Sequence, residues 1–228
     1  MFTTRYDRNR ELISQEDQRI LKNATVAVVG LGGLGGYISE GLARLGVGKL
    51  ILIDFDIFEE SNLNRQLFST EENLGCSKAD AAKERLNLVN SEVHYRFSKE
   101  RLTEGNALEL LKGAKIVVDA LDSIETRLIL EKACHSLNVP LVYGAIGGWY
   151  GQVSFIEPGD HTLRLLYPDP NAKGIEKTLG NPSFTPALVA SIQVAETVKF
   201  LLGRGTLLKK KLLMIDLLNQ EYEILDLH

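Results

Sequence analysis

The sequence predicts an α/β fold: a doubly wound, mostly parallel sheet with added antiparallel strands in its C-terminal third. Three observations predict it. The runs Thr25–Val29, Lys49–Asp54 and Lys115–Asp119 are of strand length and nearly unbroken in their apolar interiors, as strands covered on both faces must be. Segments of helical period separate them, and such β–α alternation generates a parallel sheet. Past about residue 145 the pattern changes, and Gly151–Glu157 alternates apolar and polar residues like a half-exposed strand.

Taken in order, residues 11–23 read as a polar amphipathic helix with Leu12, Ile13, Ile20 and Leu21 as its apolar positions. Thr25–Val29 is the first strand. The glycine loop Gly30-Leu-Gly-Gly-Leu-Gly35 follows, then a helix over Tyr37–Leu45 that Gly46 and Gly48 end. With the strand Lys49–Asp54 this completes a βαβ unit of about 30 residues, the opening of a Rossmann-like sheet. Ser77–Asn90 is a helix, with Ser77 as N-cap and Ala81, Leu86 and Val89 on one face. A strand over Val93–Phe97, a helix over Glu104–Leu111, a strand over Lys115–Asp119, a helix over Ile124–Leu137 and a strand over Pro140–Tyr143 continue the alternation. Residues 158–182, rich in Pro, Gly, Asn and Lys, read as a long loop of the functional or mobile kind. A helix over Thr185–Leu202, with Leu188, Ile192, Ala195 and Val198 at helical spacing, and strands near Lys211–Asp216 and Glu221–Leu225 finish the chain. The last third is too small to bury its own core. One domain over 1–228 is therefore expected: a nucleotide-binding part, about 24–145, and a C-terminal part with a crossover loop, about 146–228.

The 228 residues are 44% hydrophobic and 25% charged, with net charge -4. That balance advertises no basic surface, so nucleic acid is not the expected partner; Lys209–Lys211 reads as a solvated turn. No apolar stretch approaches the ~18 residues of a membrane span. The charged N-terminus (Arg5, Asp7, Arg8, Arg10, Glu11) lacks a secretory apolar core. A cytoplasmic location is the expectation. Two cysteines, Cys76 and Cys134, form neither a disulfide framework nor a zinc cage by themselves, and the four histidines show no ligand spacing.

Gly30, Gly32 and Gly35 satisfy G-x-G-x-x-G between a strand and a helix, a turn that lets backbone approach a phosphate. Asp54 ends the next strand, about 20 residues on, where a carboxylate meets a ribose hydroxyl. These two features leave open an NAD-dependent oxidoreductase. The run Ser61-Asn62-Leu63-Asn64-Arg65-Gln66 goes further. It sets amides, a hydroxyl and a guanidinium beside the pocket, and a pyrophosphate held by backbone N–H groups has no use for them. An arginine there neutralises a triphosphate by bidentate bonding, so the chain reads first as an ATP-using enzyme.

Several motifs occur in order: Arg5-Tyr-Asp-Arg-Asn9, Gly30–Gly35, Asp54-Phe-Asp56, Ser61–Gln66, Gly75-x-x-Lys78, Asp119-Ala-Leu-Asp122 with Thr126-Arg127, and Gly144-Ala145 leading to Gly151-Gln152. Together, from about residue 5 to the end, the chain resembles the ThiF/MoeB/HesA family, relatives of ubiquitin-activating enzymes. The resemblance implies ATP- and Mg²⁺-dependent adenylation of the C-terminal glycine of a ubiquitin-like sulfur carrier ending in Gly-Gly, in thiamine, molybdopterin or related sulfur metabolism. It implies roles as well. Gly30, Gly32, Gly33 and Gly35 would cradle the nucleotide, Asp54 its ribose, with Asp56 and Gln66 in the same set. Arg65 and Lys78 would hold the β- and γ-phosphates, Asn62 would orient a phosphate or the incoming carboxylate, and Asp122 would bind Mg²⁺. Arg8 would complete the site of the opposite subunit in a homodimer.

Plainer readings stand beside these. Lys78 fits a surface lysine, Asp122 a helix cap, Asp56 a loop stabiliser and Arg127 a structural ion pair. The chain also departs from the family. Thr162-Leu-Arg-Leu165 stands where a first zinc C-x-x-C pair is expected, so no zinc is expected. The crossover loop holds no cysteine. Cys134 fits a packed position and Cys76 a small loop residue, which points to a separate sulfur donor. A different carboxylate, either a peptide C-terminus or the threonylcarbamoyladenosine of a tRNA, is the alternative substrate.

Overall fold

The apolar runs pair into one sheet of eight strands. The computed structural model describes residues 4–169 and 179–227. In chain order the strands are β1 (Thr25–Val29), β2 (Lys49–Ile53), β3 (His94–Ser98), β4 (Ile116–Asp119), β5 (Leu141–Gly147), β6 (Tyr150–Ile156), β7 (Lys211–Asp216) and β8 (Glu221–Asp226). Their spatial order is β3-β2-β1-β4-β5-β6-β7-β8. The first five are parallel, and β6, β7 and β8 continue antiparallel. The strand order reverses between β1 and β4. In open α/β sheets the crevice for a ligand lies beyond the strand ends at such a point. Register sharpens this: Val29 sits opposite both Ile53 and Asp119, so Gly30, Asp54 and Ala120 emerge side by side.

Helices cover both faces because successive strand residues point to opposite sides. Val26 and Val28 pack with α1 (Gln15–Lys22), α2 (Gly33–Leu45), α3 (Lys78–Val89) and the long helix α7 (Phe184–Leu202). Ala27 and Val29 pack with α4 (Ala107–Leu110), α5 (Ile124–Leu137) and α6 (Thr162–Leu166). Fully buried side chains such as Leu42 and Leu130 each contribute about 1.5–3 kcal/mol of burial.

The element boundaries differ from the sequence reading for local reasons. The first helix starts at Gln15, later than expected, because Ser14 and Asp17 cap it reciprocally; a 3₁₀ helix, Thr4–Asn9, precedes it. Helix α2 starts inside the glycine loop at Gly33, four residues earlier than Tyr37, since Gly36 N–H already reaches Gly32 O (3.2 Å). Ser77 is the N-cap residue of α3, yet its side chain makes no cap bond. β5 runs on to Gly147 because it turns into β6 as a hairpin. The expected loop over 158–182 holds the short α6; its residues 170–178 lie outside the described residues.

One expectation is overturned. Phe184–Leu202 is a 19-residue helix long and apolar enough to cross a membrane by length and composition. Here Val189, Ala190, Gln193, Thr197 and Leu201 are buried, Val189, Ala190 and Leu201 within the core that α2 and the sheet share.

Candidate active site

The glycine loop meets the ends of β2 and β4 because no side chain stands between them. A Cβ at Gly30, whose φ is +96°, would fall 2.4 Å from Ala120 O. A Cβ at Gly35 would fall 1.8 Å from Gly30 O. Gly35 thus serves the close approach of helix to strand and lies off the cavity wall, whereas Gly30, Gly32 and Gly33 line it. Gly32 caps α2 without a side-chain bond. The first N–H groups of α2 are therefore left toward the cavity, a ready anion site.

The cavity above them has a volume of about 620 Å³. Asp54, Asp56, Arg65, Gln66, Lys78 and Asp122 all line it. Asp54 is buried and holds the site together: its Oδ2 accepts from Leu31 N–H (2.6 Å) and its Oδ1 from Asp56 N–H (2.8 Å). Burial pushes its pKa up, against those N–H donors and the Lys78 charge. A carboxylate has about four lone-pair directions, so two remain for a ribose.

Lys78 is buried on the first turn of α3, and its Nζ lies 3.2 Å from Asp56 Oδ2. The surface reading of Lys78 is thereby set aside. The stem of Arg65 lies over the N-terminus of α2, where a Cβ at Gly33 would be 3.8 Å from it. Its Nη1 donates to Ser61 O (2.9 Å) and Asn64 Oδ1 (2.8 Å). Partial burial pulls the Arg65 pKa down, and the Asp122 carboxylate pushes back. Gln66 Oε1 is buried without a hydrogen-bond partner, an acceptor that faces the same loop. Asn62 sits elsewhere. It is buried off the cavity wall, with Oδ1 accepting from Glu59 N–H (3.1 Å) and its carbonyl accepting from Arg65 N–H (3.1 Å) and Gln66 N–H (3.0 Å). It shapes the loop that presents Arg65. Arg8 is exposed on the 3₁₀ helix and is absent from its own chain's cavity.

Asp122 is exposed at the mouth. The cap of α5 is Ser123, whose Oγ accepts from Thr126 N–H (3.4 Å), so the carboxylate is not consumed by the helix. Among the described residues no group of three or more His, Cys, Asp or Glu could hold a metal. An exposed carboxylate beside the N-terminus of α2 and two cations suits Mg²⁺, which keeps waters and takes phosphate oxygens.

A buried network reaches this wall through Arg127, Gln152 and Tyr167. Arg127 pairs with Asp119 (3.5 Å), donates to Gly144 O (3.2 Å) and Tyr167 Oη (2.9 Å), and also bonds Leu121 O. The Tyr143 and Tyr167 hydroxyls lie 2.6 Å apart, and Tyr143 donates to Gln152 Oε1 (3.0 Å). These partners fit the structural reading of Arg127, which also lines the cavity. Burial pushes Asp119 up to about 6, against the pull of Arg127. Cys134 is buried and its thiol is pushed up by desolvation, while Cys76 is exposed off the cavity.

Several wall residues escaped the sequence reading. Glu100, Arg101 and Leu102 follow β3, with Arg101 stacked 3.8 Å over the Phe55 ring. The signal was available, since β3 neighbours β2 and its end must reach the same crevice. Tyr150, Gln152, Tyr167 and Asn181 form the far side. Asn181 O accepts from Asn64 Nδ2 (3.0 Å), a contact across 117 residues that no local pattern announces.

Comparison with known proteins shows the family. The sequence model of the ThiF family matches residues 6–228. The sulfur carrier protein adenylyltransferase of Thermus thermophilus is 38% identical over 229 residues, covering 96% of this chain and 84% of that protein. The SAMP-activating enzyme E1 of Haloferax volcanii is 34% identical over 224 residues, covering 96% and 83%. Among solved structures, E. coli MccB superposes with a TM-score of 0.84 at 24% identity, over 99% of this chain and 72% of that one, a likeness of fold. The E. coli tRNA N6-threonylcarbamoyladenosine dehydratase, TcdA, gives 0.75 at 25% identity, over 87% and 94%. Matched along nearly its whole length, the chain belongs to the ThiF family and is an adenylyltransferase.

Proposed function

We propose that this protein uses ATP and Mg²⁺ to adenylate the C-terminal glycine of a ubiquitin-fold sulfur carrier ending in Gly-Gly. The observation that carries the reading is one cavity holding the glycine loop, Arg65, Lys78 and Asp122 together. The carrier carboxylate attacks the α-phosphorus, the bond to the bridging oxygen breaks, and pyrophosphate leaves with the electron pair. Such a displacement needs alignment and charge neutralisation more than covalent help. Asp54 receives the ribose, and the N-terminus of α2 faces the phosphates. Arg65 and Lys78 take the charge that moves onto the β- and γ-phosphates. Asp122 is the residue that would hold Mg²⁺, which when bound screens phosphate oxygens from the incoming carboxylate. The two relatives above, named for sulfur carrier and SAMP activation, support this substrate class.

Arg8 belongs in the neighbouring subunit's site of a homodimer. Its exposure supports this, together with the anchoring of its segment by Tyr6, buried beneath Gly46, and by Arg5, whose Nη1 donates to Val89 O (2.7 Å). The sulfur arrives from a separate donor in the cytoplasm, for thiamine, molybdopterin or a related product.

Pyrophosphate–ATP exchange tests the reading. Exchange that depends on one carrier and disappears when its last glycine is removed is the expected result. ATP binding with no exchange across a carrier panel would move the substrate to another carboxylate, with a peptide C-terminus and threonylcarbamoyladenosine in tRNA next in line.

A further inference from the structure

Lys78 occupies an unfavourable place for a cation. It is buried, and it sits on the first turn of α3, where the helix dipole presents its positive end. A buried charge without a partner is strongly destabilising. Asp56 supplies the partner, and it grips Lys78 twice: Oδ2 lies 3.2 Å from Nζ, and the Asp56 carbonyl accepts Lys78 N–H (3.0 Å). The grip is part of a backbone clip. Phe58 N–H donates to Cys76 O (2.9 Å), Gly75 N–H donates to Phe58 O (2.8 Å), and Ile57 bridges Ser77. The clip closes the neck of the loop that presents Arg65. On its other side Asp56 N–H bonds Asp54, whose second oxygen holds Leu31 in the glycine loop. One chain of bonds thus runs from the glycine loop through both aspartates to the ammonium.

We propose that Asp56 is a positioning residue, which acts on adenylation by fixing the Lys78 ammonium on the cavity wall rather than by touching nucleotide or metal. This deepens the adenylation reading and rests on it. The electrostatics separate the two roles. Asp56 puts a negative charge beside the place of a triphosphate, so its charge alone opposes ATP binding. Neutralising it leaves ATP affinity unchanged or tighter, while Lys78 loses its fixed position in the transition state and the chemical step slows. Interactions realised only in the transition state appear in the rate and not in ground-state binding.

The test is a double-mutant cycle on the full-length protein with Asp56→Asn, Lys78→Met and the pair. Asp56 is half exposed (side chain 51%), and Asp56→Asn keeps the backbone clip, so the variant folds; thermal melting checks this, and Asp56→Glu is a second, charge-retaining variant. Calorimetry reads ATP·Mg²⁺ affinity, and single-turnover adenylate formation reads the chemical step. The expected result is an about tenfold slower step in Asp56→Asn, about 1.4 kcal/mol by the usual conversion, with ATP affinity no weaker and partial recovery in Asp56→Glu. In the Lys78→Met background Asp56→Asn adds less than about twofold. Losses that multiply with those of Lys78→Met, or weaker ATP binding in Asp56→Asn, would overturn the proposal, because Asp56 would then act on nucleotide or metal directly. A wild type that binds ATP but adenylates no carrier sinks the substrate reading alone, and weaker ATP binding in Asp56→Asn would still overturn the positioning role.

Discussion

Asp122 and Ser123 divide two tasks that one side chain would otherwise share. Because Ser123 caps α5, Asp122 keeps its carboxylate for a ligand at the cavity mouth. Asp122→Ala should therefore lower carrier-dependent exchange by about a hundredfold or more and leave the melting temperature within a degree or two of wild type; ordinary exchange in that variant would remove Asp122 from the reaction. Asp119, three residues earlier, is the opposite kind of carboxylate: fully buried, with a folded pKa of about 6 against an ordinary value of 3.8. Its folded form binds more protons than its unfolded form between those values, so its contribution to stability falls as pH rises from about 4 to 6. Urea denaturation of wild type and Asp119→Asn across that range should show the difference in stability shifting against wild type as pH increases. An equal dependence in both proteins would mean that Asp119 is charged throughout. At this scale the sequence was partly legible. Arg65 stood out because its polar run has no use at a site that holds pyrophosphate by backbone alone, whereas Lys78 and Asp122 came only through the family resemblance, their residue types alone fitting a surface lysine and a helix cap. Asn62 was misplaced because a side chain's direction in an irregular loop depends on the loop's own hydrogen bonds, which residue order does not reveal.

Elements were legible where period and burial agree. β1, α5 and β7 begin and end where the pattern puts them, since buried strands and a capped helix leave unambiguous signatures. The glycine loop misled by four residues because glycine is read as a breaker, although here Gly33, Gly35 and Gly36 are helical. Their reason is steric. Helix α2 passes so close to β1 that a Cβ at Gly35 would meet Gly30 O at 1.8 Å. Gly35→Ala raises helix propensity, yet it should destabilise the protein by about 3 kcal/mol through overpacking against backbone, measured as a lowered urea midpoint. A neutral or stabilising result would mean that α2 can back away from the strand. The α7 helix carries a different lesson. Its composition satisfies a membrane test, but Gln193 bonds Asp119 O (2.8 Å) and Val142 O (3.3 Å), and Glu196 accepts Leu208 N–H (3.0 Å). Polar side chains that meet backbone in the core mark it as a core helix of this fold, and only the tertiary partners reveal that.

For the whole molecule, the order of the strands was legible as a class and not in its details. Alternation implied a parallel sheet and its loss implied antiparallel strands, but the position of β6 beside β5 comes from the hairpin at Gly148, and the far wall of the cavity follows from it. The proposed homodimer rests on the resemblance, and Arg8 does not line its own chain's cavity. Arg8→Ala and Arg65→Ala proteins should each be nearly inactive, while mixing them under subunit exchange should restore about a quarter of wild-type activity per subunit, as one composite site in each mixed pair is whole. No recovery would place Arg8 outside the reaction. The same sheet that closes the cavity leaves one side open: all six residues of β8 are exposed, and among the described residues its outer edge has no neighbouring strand. Such an edge invites another chain to add itself. Glu221, Glu223 and Asp226 stand along it in six residues, so two copies meeting there would bring like charges together. The molecule thereby carries its own guard against fibrous self-assembly, and acid conditions that neutralise those carboxylates would lower it.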